Sequence, residues 1–245
     1  MGTVAGRNSC HHKGFFFYTV TVHGHGLMDL FPLYLTIKVS LTDVVITTAI
    51  GLALSWVMAK KEFIGKELLD IIVMQPLVIP PTVLGYYLLT AFGRSSWLGG
   101  FLADTLGFEI AFTWKGAVVA SVISSLPLFV KPARAAFESV SSDMENAARM
   151  LGKGEAEVFR TITLPLAWRG IAAGAVLAFA RSTGEFGATL MIAGNIPGLT
   201  ETLPIAIYDA MLSGDARSAN ILVGIITAFS FLVIYAAGVF TKKRY

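Results

Sequence analysis

Five stretches of this chain are long and apolar enough to cross a bilayer, and nothing else in the sequence limits its fold so strongly. A spanning helix needs about 20 mostly apolar residues, because the hydrocarbon core is about 30 Å thick and a helix rises about 1.5 Å per residue. The stretches run over about 33–59, 68–92, 112–130, 170–193 and 219–240. The last carries no charge, whereas the first holds Lys38 and Asp43 and the fourth holds Arg181 and Glu185. The second contains Asp70 near its start, then Pro76, Pro80 and Pro81; the third has Lys115 near one end and Lys131-Pro132 closing the other. Backbone polar groups in lipid need partners within the segment, so apolar runs of this length form helices. The expected fold is an all-α integral membrane protein with five transmembrane helices.

Composition supports the same class. Charged residues make up 14% of the chain, against about 25% in a soluble domain. With 55% hydrophobic residues the chain is not disordered, since disordered chains are poor in such residues and rich in charge. A lone cysteine, Cys10, forms no internal bridge. A net charge of +3, spread along the chain, gives no basic patch for nucleic acid.

Lysine and arginine collect in the loops on the cytoplasmic side of a membrane protein. Twelve lie after the first span, between the third and fourth, and at the C-terminus (Lys60 to Lys66, Lys131 to Arg169, Lys242 to Arg244), whereas the opposite loops hold only Arg94, Lys115 and Arg217. The asymmetry predicts a multi-pass protein of the cell membrane with its N-terminus outside and its C-terminus cytoplasmic. Residues 1–27 form a separate N-terminal extension ahead of a permease-sized domain at 28–245. The extension holds all four histidines, Cys10 and an apolar run, Phe15 to Val22, too short to span. It matches no familiar zinc spacing, so no metal site is expected, and the extension is expected to be dispensable.

The segment 141–165 is the most informative. Ser142 with Glu145 three positions on is a capping-box pattern, Gly152 can supply a left-handed C-terminal cap, and Glu155 and Glu157 suit the positive end of a second helix. These residues predict a helix–glycine–helix elbow on the cytoplasmic side; by physics alone, an amphipathic linker lying on the membrane surface fits equally well. The residues also carry a resemblance. Asn146-Ala147-Ala148, three residues, Gly152, nine residues, then Ile162-Thr163-Leu164-Pro165 is similar to the pattern of permease subunits of ATP-binding-cassette (ABC) importers, except that Asn146 takes the place of a glutamate, with Glu145 beside it. Within that family, over 28–245, the chain most resembles the molybdate (oxyanion) permeases, through Pro76 to Pro81, Ala178 to Thr189, Gly194 to Gly198 and Thr202 to Tyr208. Sulfate and tungstate permeases share parts of these stretches.

The resemblance implies a type I ABC importer permease fold, with 141–165 as the coupling helix docking on an ATPase subunit through Glu145, Asn146, Ala147, Ala148, Gly152, Ile162, Leu164 and Pro165. It implies a homodimer, two cytoplasmic ATP-binding subunits and an extracytoplasmic oxyanion-binding protein. ATP and magnesium would sit on the ATPase, leaving no cofactor on this chain. The implied activity is ATP-driven import of molybdate by alternating access, with tungstate or sulfate/thiosulfate as the alternative cargo.

Arg181 and Glu185, four apart, are expected on one face of the fourth span, paired either with each other or with Lys38 and Asp43. A charge at the bilayer centre costs at least about 2.5–3.5 kcal/mol, so such residues face a bundle interior or a cavity. Basic residues select anions in pores, which makes Lys38, Pro80, Pro81, Arg181, Ser182, Thr183 and Glu185 the candidate translocation pathway. Gly184, Gly187 and Ala188 would permit close helix approach. A self-sufficient channel or secondary transporter is the competing class, disfavoured by five spans without an evident inverted repeat. An enzyme is disfavoured because the apolar core offers no histidine, cysteine or paired carboxylates, and neither Gly65-Lys66 nor Gly152-Lys153 continues as a phosphate-binding loop.

Overall fold

The computed structural model describes residues 30–241; the extension 1–27 and the basic cluster Lys242 to Arg244 lie outside the described residues. The described chain is all helical: α1 (Phe31–Lys60), α2 (Lys66–Met74), α3 (Pro81–Phe92), α4 (Trp97–Leu106), α5 (Trp114–Glu138), α6 (Ser142–Met150), α7 (Glu155–Val158), α8 (Leu164–Thr183), α9 (Gly187–Ala193), α10 (Leu203–Leu212) and α11 (Ala216–Thr241). Four helical stretches, 31–60, 114–138, 155–183 and 216–235, are long and apolar enough to cross a membrane. The remaining expected span, the second, is a pair of helices, 66–77 and 81–92, with a bend of 110° between them.

That bend has a local cause. A proline drives the residue before it toward extended backbone, and Pro80, preceding Pro81, has ψ 135°. A 3₁₀ turn over 75–77 joins the first half to this break. The third span departs from expectation in the opposite sense. Lys131-Pro132 does not close it, because α5 continues through Pro127 and Pro132 to Glu138. Burial explains the difference: Phe129, Val130, Ala133 and Phe137 are fully buried, and enclosed packing holds the helix together where isolated prolines would break it.

α5 is the central post, with 61% of its apolar stretch buried, against 6% for α11, which leaves α11 for lipid or a partner. α1 and α8 clasp α5 through small residues. A side chain at Gly51 of α1 would run into the Phe129 ring, and one at Gly174 of α8 would stand 2.7 Å from the Phe129 carbonyl oxygen. Phe129 therefore sits between two glycines on two helices. α3 lies on α9 in the same way: a Cβ at Gly85 would come 2.8 Å from the Ala188 Cα.

Candidate functional site

Two regions carry the sequence candidates, one at each end of the same helices. At the elbow, Ser141 caps α6, its side chain accepting the Asp143 N–H at 3.2 Å. The cap thus sits one residue earlier than the capping-box pattern predicts, and Glu145 does not fold back on it. Glu145 turns inward instead, where it is 6% exposed. Its Oε1 accepts from Thr163 Oγ1 at 2.6 Å, and its Oε2 accepts from Lys60 Nζ of α1 at 3.1 Å. Asn146 faces outward and accepts from Arg149 Nη1 at 2.7 Å. Of the two polar side chains competing for the glutamate position, Asn146 faces outward and Glu145 is buried.

Gly152 has φ +86°, a backbone state that non-glycine residues enter only with strain. Gly152 N–H bonds the Arg149 carbonyl at 2.9 Å and Lys153 N–H bonds the Ala148 carbonyl at 3.2 Å. This pair of reversed bonds is a Schellman turn, as the glycine's position predicts. Arg149 then locks the turn, reaching both oxygens of Glu155 at 2.6 and 3.0 Å. The hydrogen bond and charge of Arg149 hold the Glu155 carboxyl below its ordinary value, and Glu155 raises Arg149. Ala147 is exposed and Ala148 buried; Ile162 and Leu164 are half-buried, and Pro165 is exposed. A π-helical turn over 159–163 precedes Pro165, where the proline supplies no donor for regular pairing. The outward face also includes Met150, 88% exposed, and Leu151, 83% exposed.

The intramembrane candidates divide. α8 stops at Thr183, and Gly184 to Phe186 interrupt the helix before α9. Arg181 and Glu185 are consequently not on one continuous helical face: Arg181 lies in the last turn of α8 and Glu185 in the break. They still pair, Arg181 Nη1 standing 2.6 Å from Glu185 Oε2, with the carboxylate side chain 1% exposed and the arginine 29%. Glu185 Oε1 accepts the Ala188 N–H at 3.0 Å, so one carboxylate both holds the arginine and starts α9. The break abuts the bend of the second span, since a Cβ at Gly187 would meet Pro81 Cβ at 2.9 Å. Pro80 and Pro81 are exposed, while Ser182 and Thr183 are buried, and Thr183 Oγ1 lies 3.4 Å from Ser40 Oγ on α1. Structure thus unites Pro81, Thr183, Arg181 and Glu185 around two helix interruptions.

Lys38 and Asp43 do not join that pair. Lys38 Nζ sits 3.9 Å from the centre of the Trp114 ring. Asp43 is fully buried and accepts from Thr47 Oγ1 and Ser125 Oγ, each at 2.9 Å, pinning α1 to α5. The serines at 121, 124 and 125, on one face of the otherwise apolar stretch 116–130 of α5, were the available signal for this contact. Among the described residues no group of three or more histidine, cysteine or acidic side chains is placed to hold a metal.

A family model described as the binding-protein-dependent transport system inner membrane component matches residues 51–244. This chain belongs to that family. The molybdenum transport system permease protein ModB of Escherichia coli (strain K12) is 45% identical over 191 residues, covering 77% of this chain and 83% of that protein. At lower identity, 33% over 186 residues, stands the sulfate transport system permease protein CysT of Salmonella typhimurium, with 76% of this chain and 67% of that protein covered. Among solved structures, a bacterial ABC transporter involved in the import of the acidic polysaccharide alginate superposes with a TM-score of 0.70 at 15% identity, over 86% of this chain and 78% of that one. At that identity the likeness concerns the fold. The chain is accordingly a membrane permease of the ABC importer family with the type I permease fold.

Proposed function

We propose that this permease carries molybdate inward, as one of two copies forming a pathway, driven by two cytoplasmic ATPase subunits and loaded by an extracytoplasmic oxyanion-binding protein. The observation that carries this reading is the elbow at 141–165. Its Schellman turn and the Arg149–Glu155 pair make a rigid cytoplasmic projection, and its outward face combines Asn146 and Ala147 with exposed Met150 and Leu151. An apolar, small-residue face of this kind suits insertion into a cleft of a partner. The same chain direction then runs unbroken through α7 and α8 to Arg181.

At the pathway end, Arg181 supplies a positive charge next to two interrupted helices, and Glu185 neutralises part of it. A full unpaired charge would trap a dianion, whereas a tempered one lowers the barrier and still releases it. ATP binding would close the ATPase pair and move the elbows. The pathway would turn outward to receive the anion, and hydrolysis would return it inward. The topology that fits is the N-terminus outside and the C-terminus in the cytoplasm. In proteoliposomes holding the complete complex and its binding protein, ATP should drive uptake of radiolabelled molybdate. Tungstate should compete better than sulfate. Uptake of molybdate without ATP would refute the reading in favour of a self-sufficient channel, and stronger competition by sulfate would reassign the cargo.

A further inference from the structure

α8 is joined to the elbow by the chain itself, but α1 meets the elbow only through space, and one polar contact holds it there. Lys60, the last residue of α1, donates from Nζ to the Val140 carbonyl at 3.0 Å and to Glu145 Oε2 at 3.1 Å. Thr163, where the chain re-enters the membrane, donates to the other oxygen of the same carboxylate at 2.6 Å. Glu145 is thus a three-way junction between α1, α6 and the start of α8. The lysine and glutamate side chains are 18% and 7% exposed, at the edge of a cavity of about 260 Å³. Beneath them, the Phe159 ring packs edge-on against Trp56 of α1 at 5.8 Å and tilts against Phe137 of α5 at 6.2 Å.

The other end of α1 explains why such a junction would matter. Ser40 touches Thr183, two residues from Arg181, and Asp43 is bonded to Ser125 of α5. Ser40 lies twenty residues from Lys60 along one helix, about 30 Å at 1.5 Å per residue. If the elbow shifted and carried only α8, the Ser40–Thr183 contact would shear. Both helices keep their register near the pathway only if α1 is driven at its lower end as well.

We propose that the Lys60–Glu145–Thr163 junction makes α1 a second lever, so that elbow motion reaches the pathway through α1 and α8 together. Lys60 and Glu145 are then positioning residues for transport, acting through the helices and touching neither anion nor nucleotide. This rests on the elbow being the ATPase contact. The apolar bed of Trp56, Phe137 and Phe159 keeps α1 in place when the ion pair is lost, so the variant proteins should fold. What they should lose is the transmission of force, because a greasy contact slides where a charge-assisted, two-oxygen clasp does not.

The test compares Lys60→Met, Glu145→Gln and the exchange Lys60→Glu/Glu145→Lys in complexes purified with their ATPase subunits and reconstituted with binding protein. ATP hydrolysis and radiolabelled molybdate uptake are measured on the same vesicles. Lys60→Met and Glu145→Gln should assemble and hydrolyse ATP at near-normal rates, with molybdate moved per ATP falling at least tenfold, and the exchange should recover a substantial part of that ratio. An unchanged ratio in Lys60→Met would overturn the proposal. So would a loss of complex assembly in the single variants and the exchange alike, which would make the junction a folding element. A failure of the underlying elbow reading shows separately: Met150→Glu/Leu151→Glu would then leave ATPase association intact.

Discussion

Replacing Glu185 by glutamine separates the stability of the Arg181 pair from its use in transport. Glutamine keeps the shape of the side chain and can still accept the Ala188 N–H, so the loss is confined to the 2.6 Å contact with Arg181. The contact is an ion pair in which Glu185 Oε2 has no hydrogen-bond partner. Breaking a solvent-exposed ion pair costs about 0.2–1 kcal/mol, and stranding one member of a fully buried one costs about 3–5 kcal/mol. Arg181 is 29% exposed and Glu185 1%, so the guanidinium can turn toward water and the cost falls between these limits. The expected loss is about 2 kcal/mol, which for a chain of this size lowers the melting temperature by about 4–8 °C.

That loss does not depend on whether Arg181 meets the anion, but uptake kinetics do. Without Glu185 the arginine becomes a stronger anion site, so both KM and the maximal uptake rate should fall as the anion binds more tightly and leaves more slowly. A merely structural pair would leave uptake per assembled complex within about twofold of wild type, since no interaction unique to transport is lost. The double change Arg181→Met/Glu185→Met removes both charges and should be tolerated, because an apolar replacement of a buried pair is often neutral. It should assemble with the ATPase and transport poorly. A melting temperature unchanged in Glu185→Gln would refute the energetic reasoning, and normal uptake in the double variant would refute the pathway role.

Gly152→Pro should abolish ATP-driven uptake while leaving the chain in the membrane, because proline is fixed near φ −65° and the turn needs +86°; immunoblotting with uptake checks both. Gly51→Ala and Gly174→Ala should each cost about 1–3 kcal/mol by overpacking, but Phe129→Ala should relieve only the first. Gly51 opposes the Phe129 ring, whereas Gly174 opposes its backbone oxygen, and a double-mutant cycle on melting temperature distinguishes them. Asp43→Leu removes the acceptor of two buried hydroxyls, which keep their bond to each other at 3.2 Å and that of Ser125 to the Val122 carbonyl at 3.3 Å. It should therefore destabilise by about 1–3 kcal/mol in all, the net of two hydrogen bonds, whereas Asp43→Asn, keeping an acceptor, should lose less by the same assay. The Arg149–Glu155 pair stabilises the elbow above the ordinary Glu value of 4.5 and is lost as pH falls through the lowered value of Glu155. Protease sensitivity at 149–155 should therefore rise only below that range, and Glu155→Gln should raise it at neutral pH too.

The contrast between the prolines shows what can be read without tertiary structure and what cannot. Pro80 and Pro81 are consecutive, and their local geometry alone breaks the second span, so a break near 76–81 was legible although its 110° angle was not. Pro127 and Pro132 are the same residue type with the opposite outcome, because the α5 positions around them are enclosed by α1 and α8. The consecutive pair is locally legible, but that isolated prolines leave α5 whole depends on its neighbours. Glu145 repeats the lesson in polar form. Its spacing from Ser142 suits a helix cap worth about 1 kcal/mol, but a buried carboxylate without partners costs more, and Lys60, 85 residues earlier, supplies a charged one. Arg181 and Glu185 were recognisable as a pair because four residues separate them, yet the helix ends between them at Gly184. Their contact survives because Glu185 also caps the next helix through Ala188. A pair built across a helix break, rather than along a helix, has its geometry set by two elements that can move apart. That places the charge balance around Arg181 under the control of the same helices that the elbow and Lys60 hold.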